Sequence, residues 1–155
     1  MNNITTLQSG HPFTVQLGFV RSGNLNTGFS MNERPSVKPG YSGNPVLGGP
    51  DRFWDINAFE LPPVNQRGNL GRNSLIGPGL AAVDVSLNRS FQPREGWTLQ
   101  FRAEIFNLPN HPNFATPSGR IAFTNAAGAV APNWGRITAT TSTSRQIQFG
   151  LKLSF

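Results

Sequence analysis

From Arg145 to Phe155 the chain alternates polar and apolar side chains without interruption. Ile147, Phe149, Leu151, Leu153 and Phe155 fall on one face of an extended segment, and Gln146, Gln148, Gly150, Lys152 and Ser154 on the other, because successive strand side chains point to opposite sides of a sheet. Three other segments keep the same period. Over residues 11–21, Phe13, Val15, Leu17 and Phe19 oppose Thr14, Gln16 and Gly18, with Val20 as the single apolar residue on the polar side. Over 82–91, Val83, Val85, Leu87 and Phe91 oppose Asp84, Ser86, Asn88 and Ser90, with Arg89 in an apolar place. Over 97–106, Trp97, Leu99, Phe101, Ala103 and Ile105 oppose Thr98, Gln100, Arg102 and Glu104. The pattern predicts an all-β chain with long antiparallel strands at 11–21, 82–91, 97–106 and 145–155. Their lengths match the roughly 9 to 11 residues that a tilted strand needs to cross a bilayer, whereas strands of soluble sheets average nearer 5 or 6.

The connections between these strands are unequal. Only Gln92-Pro93-Arg94-Glu95-Gly96 separates the second from the third, a turn in which Pro and Gly supply the backbone geometry. Residues 22–80 and 107–144 are long stretches rich in Gly, Pro and Asn. An up-down-up-down threading places both long loops outside the cell and the short turn on the periplasmic side, the known asymmetry of outer membrane barrels. It also brings Phe13, Phe91, Trp97 and Phe155 to one level on the apolar face, as an aromatic girdle. The apolar face is then lipid-facing: Phe13, Val15, Leu17, Phe19, Val83, Val85, Leu87, Phe91, Trp97, Leu99, Phe101, Ile105, Ile147, Phe149, Leu151 and Leu153. The lumen-facing set is Asp84, Gln100, Arg102, Glu104, Gln146, Gln148 and Lys152, with an expected ion pair between Asp84 and Arg102.

Composition agrees with this picture. Charged residues make up 13% of the 155 positions, about half the roughly 25% usual in soluble domains, so something other than charge covers much of the surface. Cysteine is absent, which excludes disulfides and thiolate sites. No apolar run is long enough for a transmembrane helix, and the segment from Met1 to Thr6 lacks the features of a secretion signal, so the expectation is a piece of a longer barrel protein. The net charge of +6 is spread mostly as single Lys and Arg residues through the loops, which suits anionic lipopolysaccharide and gives no nucleic-acid-binding stripe.

Little supports catalysis or a cofactor. The glycine run from Gly68 to Gly79 matches neither a P-loop nor a dinucleotide fingerprint, and backbone turning in an exposed loop explains it. Asp51, Asp55 and Glu60 lack EF-hand spacing, and His11 and His111 are isolated, each directly before a proline. No nucleophile with a base is indicated, so the chain reads as a non-enzyme without cofactor or metal. Trp54, Trp134, Phe53, Phe59, Phe114 and Phe123 either pack the loops together or grip a sugar or siderophore.

Several stretches resemble the carboxyl-terminal barrel of TonB-dependent, Oar-like outer membrane transporters. They are Gly68-Asn69-Leu70-Gly71-Arg72-Asn73-Ser74-Leu75-Ile76-Gly77-Pro78-Gly79, Leu99-Gln100-Phe101-Arg102-Ala103-Glu104-Ile105-Phe106-Asn107-Leu108, Asn110-His111-Pro112-Asn113-Phe114 and Trp134-Gly135-Arg136-Ile137-Thr138. With Ser9 to Val15 and Arg52 to Asp55 the resemblance spans nearly the whole chain. It implies about four strands of a 22-stranded barrel filled by a plug, located in the outer membrane of a Gram-negative-type bacterium. Such transporters take up bulky ligands, siderophores or oligosaccharides, with energy drawn through TonB. The implied partners are membrane lipid and lipopolysaccharide, the remaining strands and plug, and TonB only through that plug, which these residues do not contain. Phe155 is implied to be part of the signal read by the barrel assembly machinery. Two other readings stay open: a soluble or cell-surface glycan-binding β-sandwich, whose apolar faces would be buried against each other, and a small porin assembled from several copies.

Overall fold

A computed structural model describes residues 1–23 and 33–155; residues 24–32, inside the expected first long loop, lie outside the described residues. The strands are β1 (Asn2–Gln8), β2 (Pro12–Phe13), β3 (Gln16–Leu17), β4 (Ser36–Val37), β5 (Phe59–Glu60), β6 (Leu75–Ile76), β7 (Leu80–Arg94), β8 (Trp97–Phe106), β9 (Ile121–Phe123) and β10 (Gln146–Ser154). One 3-10 turn, Ile56–Ala58, is the only helical element among the described residues. Asp55 caps it by accepting a hydrogen bond from the Asn57 amide. The chain divides into two compact units, a sheet unit (Met1–Ser9, Gly79–Phe114, Thr140–Phe155) and a loop unit (Gly10–Pro78, Ala115–Ala139).

The sheet unit is a four-stranded antiparallel sheet in the order β1-β7-β8-β10. The β7–β8 hairpin sets Val85 opposite Ile105, Leu87 opposite Ala103 and Phe91 opposite Leu99, and β10 continues the register with Ile147 opposite Ile105 and Leu151 opposite Phe101. Odd-numbered residues therefore share one face across three strands, as the period requires. The hairpin is tighter than the sequence suggested: β7 runs on to Arg94 through a bulge between Phe91 and Arg94, leaving Glu95 and Gly96 as the turn, with Gly96 at φ +78°. Both long connections leave the sheet at the opposite end from this hairpin, through the ends of β1, β7, β8 and β10. The sheet is not closed: β1 pairs only with β7, and β10 only with β8.

The first strand is a correction. Residues 11–21 are not a long strand of this sheet; β1 takes that place, and β2 and β3 belong to short two-stranded ladders of the loop unit. Phe13, Val15 and Leu17, expected on lipid, are buried at 1%, 0% and 3% exposure, and Phe19 is half-buried in a bend. The alternation was real, but period 2 reports only that one face is apolar and does not distinguish a protein core from hydrocarbon. Asn2–Gln8 escaped notice because Ile4 and Leu7 lie on opposite faces, opposite Asp84 and Ala81 respectively.

Every buried hydrophobic residue among the described residues lies in the loop unit: Phe13, Val15, Leu17, Phe53, Trp54, Ala58, Phe59, Leu70, Leu75, Ala122, Phe123, Ala131 and Ile137. The two long connections thus fold onto one another. The parallel β3–β9 ladder joins them, with Gln16 N–H donating to the Arg120 carbonyl at 2.8 Å and Gly18 N–H to that of Phe123 at 2.9 Å. Trp54 is the centre of the core. It meets Phe59 edge-on at 5.5 Å and Trp134 at 5.3 Å, and its Nε1–H donates to the Gly119 carbonyl at 3.2 Å. Gly119 is obligatory there, since a Cβ would lie 1.8 Å from the Asn133 carbonyl oxygen. Arg52 closes the edge with its guanidinium 4.6 Å from the Trp134 ring centroid.

Trp54→Ala is expected to destabilise the loop unit by about 3–5 kcal/mol. Hydrogen exchange measures it: the Gly18, Phe53 and Gly135 amides should lose protection while those of β8 and β10 keep it. Uniform loss in both units would contradict a separate loop core.

Candidate functional site

Four regions qualify as sites: the two faces of the sheet, the polar knot at its loop end, and a cleft in the loop unit. On the odd-numbered face, Leu87, Phe91, Trp97, Ile147, Phe149, Leu151 and Leu153 are exposed, Phe149 at 74%, while Val83, Val85, Leu99, Phe101 and Ile105 are half-exposed. Phe101 stacks on Phe149 at 6.2 Å, and Trp97 lies against Phe155 at 5.5 Å. Phe91, Trp97 and Phe155 gather at the hairpin end, three of the four members of the expected girdle; Phe13 is the exception, buried in the loop unit. Arg89 shares this apolar face, with its guanidinium 5.4 Å from the Phe91 ring centroid on the hairpin side, so its charge leans toward the strand end.

On the even-numbered face, Ser86 lies opposite Glu104, Asn88 opposite Arg102 and Ser90 opposite Gln100, with Gln148 beyond Glu104 and Lys152 beyond Gln100. Gln146 stands opposite Phe106 at the loop end. The expected Asp84–Arg102 pair does not form. Arg102 lies opposite Asn88, four positions along β7 from Asp84, about 13 Å at strand spacing. It pairs instead with Glu104 at 3.2 Å. That bridge is solvent-exposed on the Arg102 side, and such pairs contribute about 0–1 kcal/mol.

Asp84 serves the loop end, where its carboxylate accepts the Asn107 N–H at 2.9 Å. Asn107 leaves β8 with φ +50°, a left-handed conformation that Asn tolerates best after Gly. Its amide donates to the carbonyls of His111 and Thr143 and accepts the His111 N–H. Asn113 is fully buried: its side-chain oxygen accepts the Ala81 N–H at 2.8 Å and a contact from His111 Nδ1 at 3.2 Å, and its amide donates to the Ser142 hydroxyl at 2.9 Å. The Asn107 to Phe114 stretch, singled out above by resemblance, therefore ties the exits of β7, β8 and β10 together. Its asparagines carried no periodic signal that could have announced this.

In the loop unit an open cleft of about 400 Å³ is lined by Thr14, Gln16, Glu33, Arg34, Arg67, Gly68 and Arg72. Glu33 is buried at 8% exposure, and its carboxylate accepts the Ser22 hydroxyl, the Arg21 N–H at 2.6 Å and the Ser22 N–H at 3.1 Å. Burial alone would raise its pKa, but these three donors and the nearby Arg67 charge outweigh it and hold the carboxyl below its ordinary value of 4.5. Sequence reasoning passed over Glu33, an isolated acid between a polar stretch and Arg34-Pro35. Phe53, Trp54, Phe59 and Phe123 are core residues, and Trp134 and Phe114 are half-buried.

A family model described as "Outer membrane beta barrel domain" matches residues 1–148. No curated protein and no solved structure was found to match the chain.

Because its folded-state pKa is depressed, Glu33 contributes stability that is fully present above its ordinary carboxyl range and is lost as pH falls below about 4.5 toward the folded value. Pepsin cleavage of the loop unit should accelerate over that descent in the native chain. Glu33→Gln should weaken the unit at pH 7 and flatten this part of the profile. Parallel profiles for the two proteins would refute the assignment.

Proposed function

Since the chain belongs to the outer membrane β-barrel domain family, we propose that it is part of a TonB-dependent transporter barrel that takes up bulky ligands such as siderophores or oligosaccharides. Family membership puts the protein in the outer membrane of a Gram-negative-type bacterium. The carrying observation is that, among the described residues, the sheet buries none of its apolar residues while the loop unit buries thirteen. In water an uncovered stripe of Phe, Leu, Ile and Val is a liability, and in hydrocarbon it is the required surface. Strands of nine residues or more in β7, β8 and β10 are long enough to span.

In this reading the odd-numbered residues meet acyl chains and the even-numbered ones, with Asp84, Gln100, Arg102, Glu104, Gln146, Gln148 and Lys152, meet lumen water and a plug. The outer edges of β1 and β10 need neighbouring strands, because backbone groups in hydrocarbon have no water to pair with. Lipopolysaccharide surrounds the loop end, Phe155 serves recognition by the assembly machinery, and TonB acts only through the plug. No catalytic role is proposed. The soluble glycan-binding alternative is weakened by two facts. Within the sheet unit no second sheet of described residues covers the apolar stripe, and Phe53, Trp54 and Phe59, on which sugar stacking would depend, are enclosed.

Affinity isolation of the tagged chain from outer membranes of its own bacterium tests the transporter reading. Recovery of a plug domain with it, and of TonB after cross-linking, is expected. Recovery as a stable barrel with neither would sink the transporter while leaving the membrane sheet intact.

A further inference from the structure

We infer that Arg34, Arg67 and Arg72 form a binding site for small ligands carrying clustered oxyanion groups, phosphates or carboxylates, in the open cleft of about 400 Å³ in the loop unit. Its size lies within the range of ligand pockets, roughly 300–1,000 Å³. Transport is not a premise of this site, which depends only on how the loop unit is built.

Three backbone segments are clamped together to make the cleft. Leu17 N–H donates to the Glu33 carbonyl at 2.6 Å, which fixes the segment of Thr14 and Gln16 beside Glu33-Arg34. Gly68 presses so closely on the next segment that a Cβ would lie 2.0 Å from the Arg34 carbonyl oxygen, and Leu70 N–H donates to the Pro35 carbonyl at 3.2 Å. Val37 N–H donates to the Asn69 side chain at 2.8 Å. Asn73, at φ +53°, is locked by a reciprocal pair with Thr14, its N–H donating to the Thr14 hydroxyl at 2.8 Å. Arg67 and Arg72 therefore flank a segment whose backbone is held against the one that carries Arg34.

The alternative is that these arginines are structural or merely solvated. Arg21, Arg52 and Arg120 are structural: each guanidinium donates to backbone carbonyls of its own unit, those of Pro62 and Ala126, of Asp51, Trp134 and Pro132, and of Pro117. Arg34, Arg67 and Arg72 make no side-chain hydrogen bond or ion pair among the described residues, yet they converge on one concavity. Glu33 is the single carboxylate of the lining, and its oxygens are already taken by Ser22 and the Arg21 and Ser22 amides. Three guanidinium groups whose donors are unused among the described residues, against one satisfied carboxylate, select a ligand with several oxyanion groups.

Isothermal titration of the full chain in detergent micelles tests this, with citrate and pyrophosphate as soluble probes and lipid A micelles, bisphosphorylated or dephosphorylated, as the headgroup probe. Saturable binding is expected that weakens with salt and falls about tenfold or more in each of Arg34→Gln, Arg67→Gln and Arg72→Gln. Arg136→Gln removes the same charge from the same unit outside the cleft and should leave affinity unchanged. Unaltered intrinsic tryptophan fluorescence, to which Trp54, Trp97 and Trp134 all contribute, keeps folding out of the comparison. Binding of a soluble probe that these variants lose assigns the site to a free ligand; binding of bisphosphorylated lipid A alone, lost in the same variants, assigns it to a headgroup. Either supports the site. No saturable binding, or an equal loss with Arg136→Gln, overturns it.

Discussion

The exposed apolar face of a hydrogen-bonded sheet sets the terms for everything else in this protein. Across β7, β8 and β10, Val85, Ile105 and Ile147 lie in one row and Leu87, Ala103 and Phe149 in the next, so the stripe continues from strand to strand. No described residue of the sheet unit buries it. At about 25 cal/mol per Å², leaving such side chains in water forgoes the transfer free energy that drives folding, and a hydrocarbon solvent supplies it. The same solvent forbids unpaired backbone groups, which is why the free edges of β1 and β10 call for further strands.

The loop unit answers to a different constraint. Its chain is rich in Gly, Pro and Asn and must order long connections, at an entropic cost of about 1–2 kcal/mol per residue. A core centred on Trp54 and drawn from both connections offsets that cost. A built loop of this kind can hold arginines at fixed positions, as a floppy one could not. The Asn107–Asn113 knot does similar work for the sheet, satisfying the backbone where three strands end and regular pairing stops.

Legibility in the sequence followed the physics of period. β8 and β10 were readable almost to the residue because one face is uniformly apolar and the other polar. β7 was found but cut short, since a bulge next to Pro93 hides the continuation to Arg94. The 11–21 segment is ambiguous by period alone: Phe13, Val15 and Leu17 have the alternation of a membrane strand while facing a protein core. β1 was illegible for the converse reason, being recruited by pairing with β7 and lacking an apolar face of its own. The cleft was invisible, because Arg34, Arg67 and Arg72 are distant in sequence and only the packing of Gly68 against Arg34 and Pro35 brings their segments together.

Nitroxide scanning of β10 in outer membranes tests the central claim most directly. With labels placed singly from Gln146 to Ser154, the account predicts that oxygen relaxes Ile147, Phe149, Leu151 and Leu153, while a water-soluble nickel chelate relaxes Gln146, Gln148 and Lys152. A profile without this two-residue alternation, or with the odd positions shielded from both reagents, would contradict it.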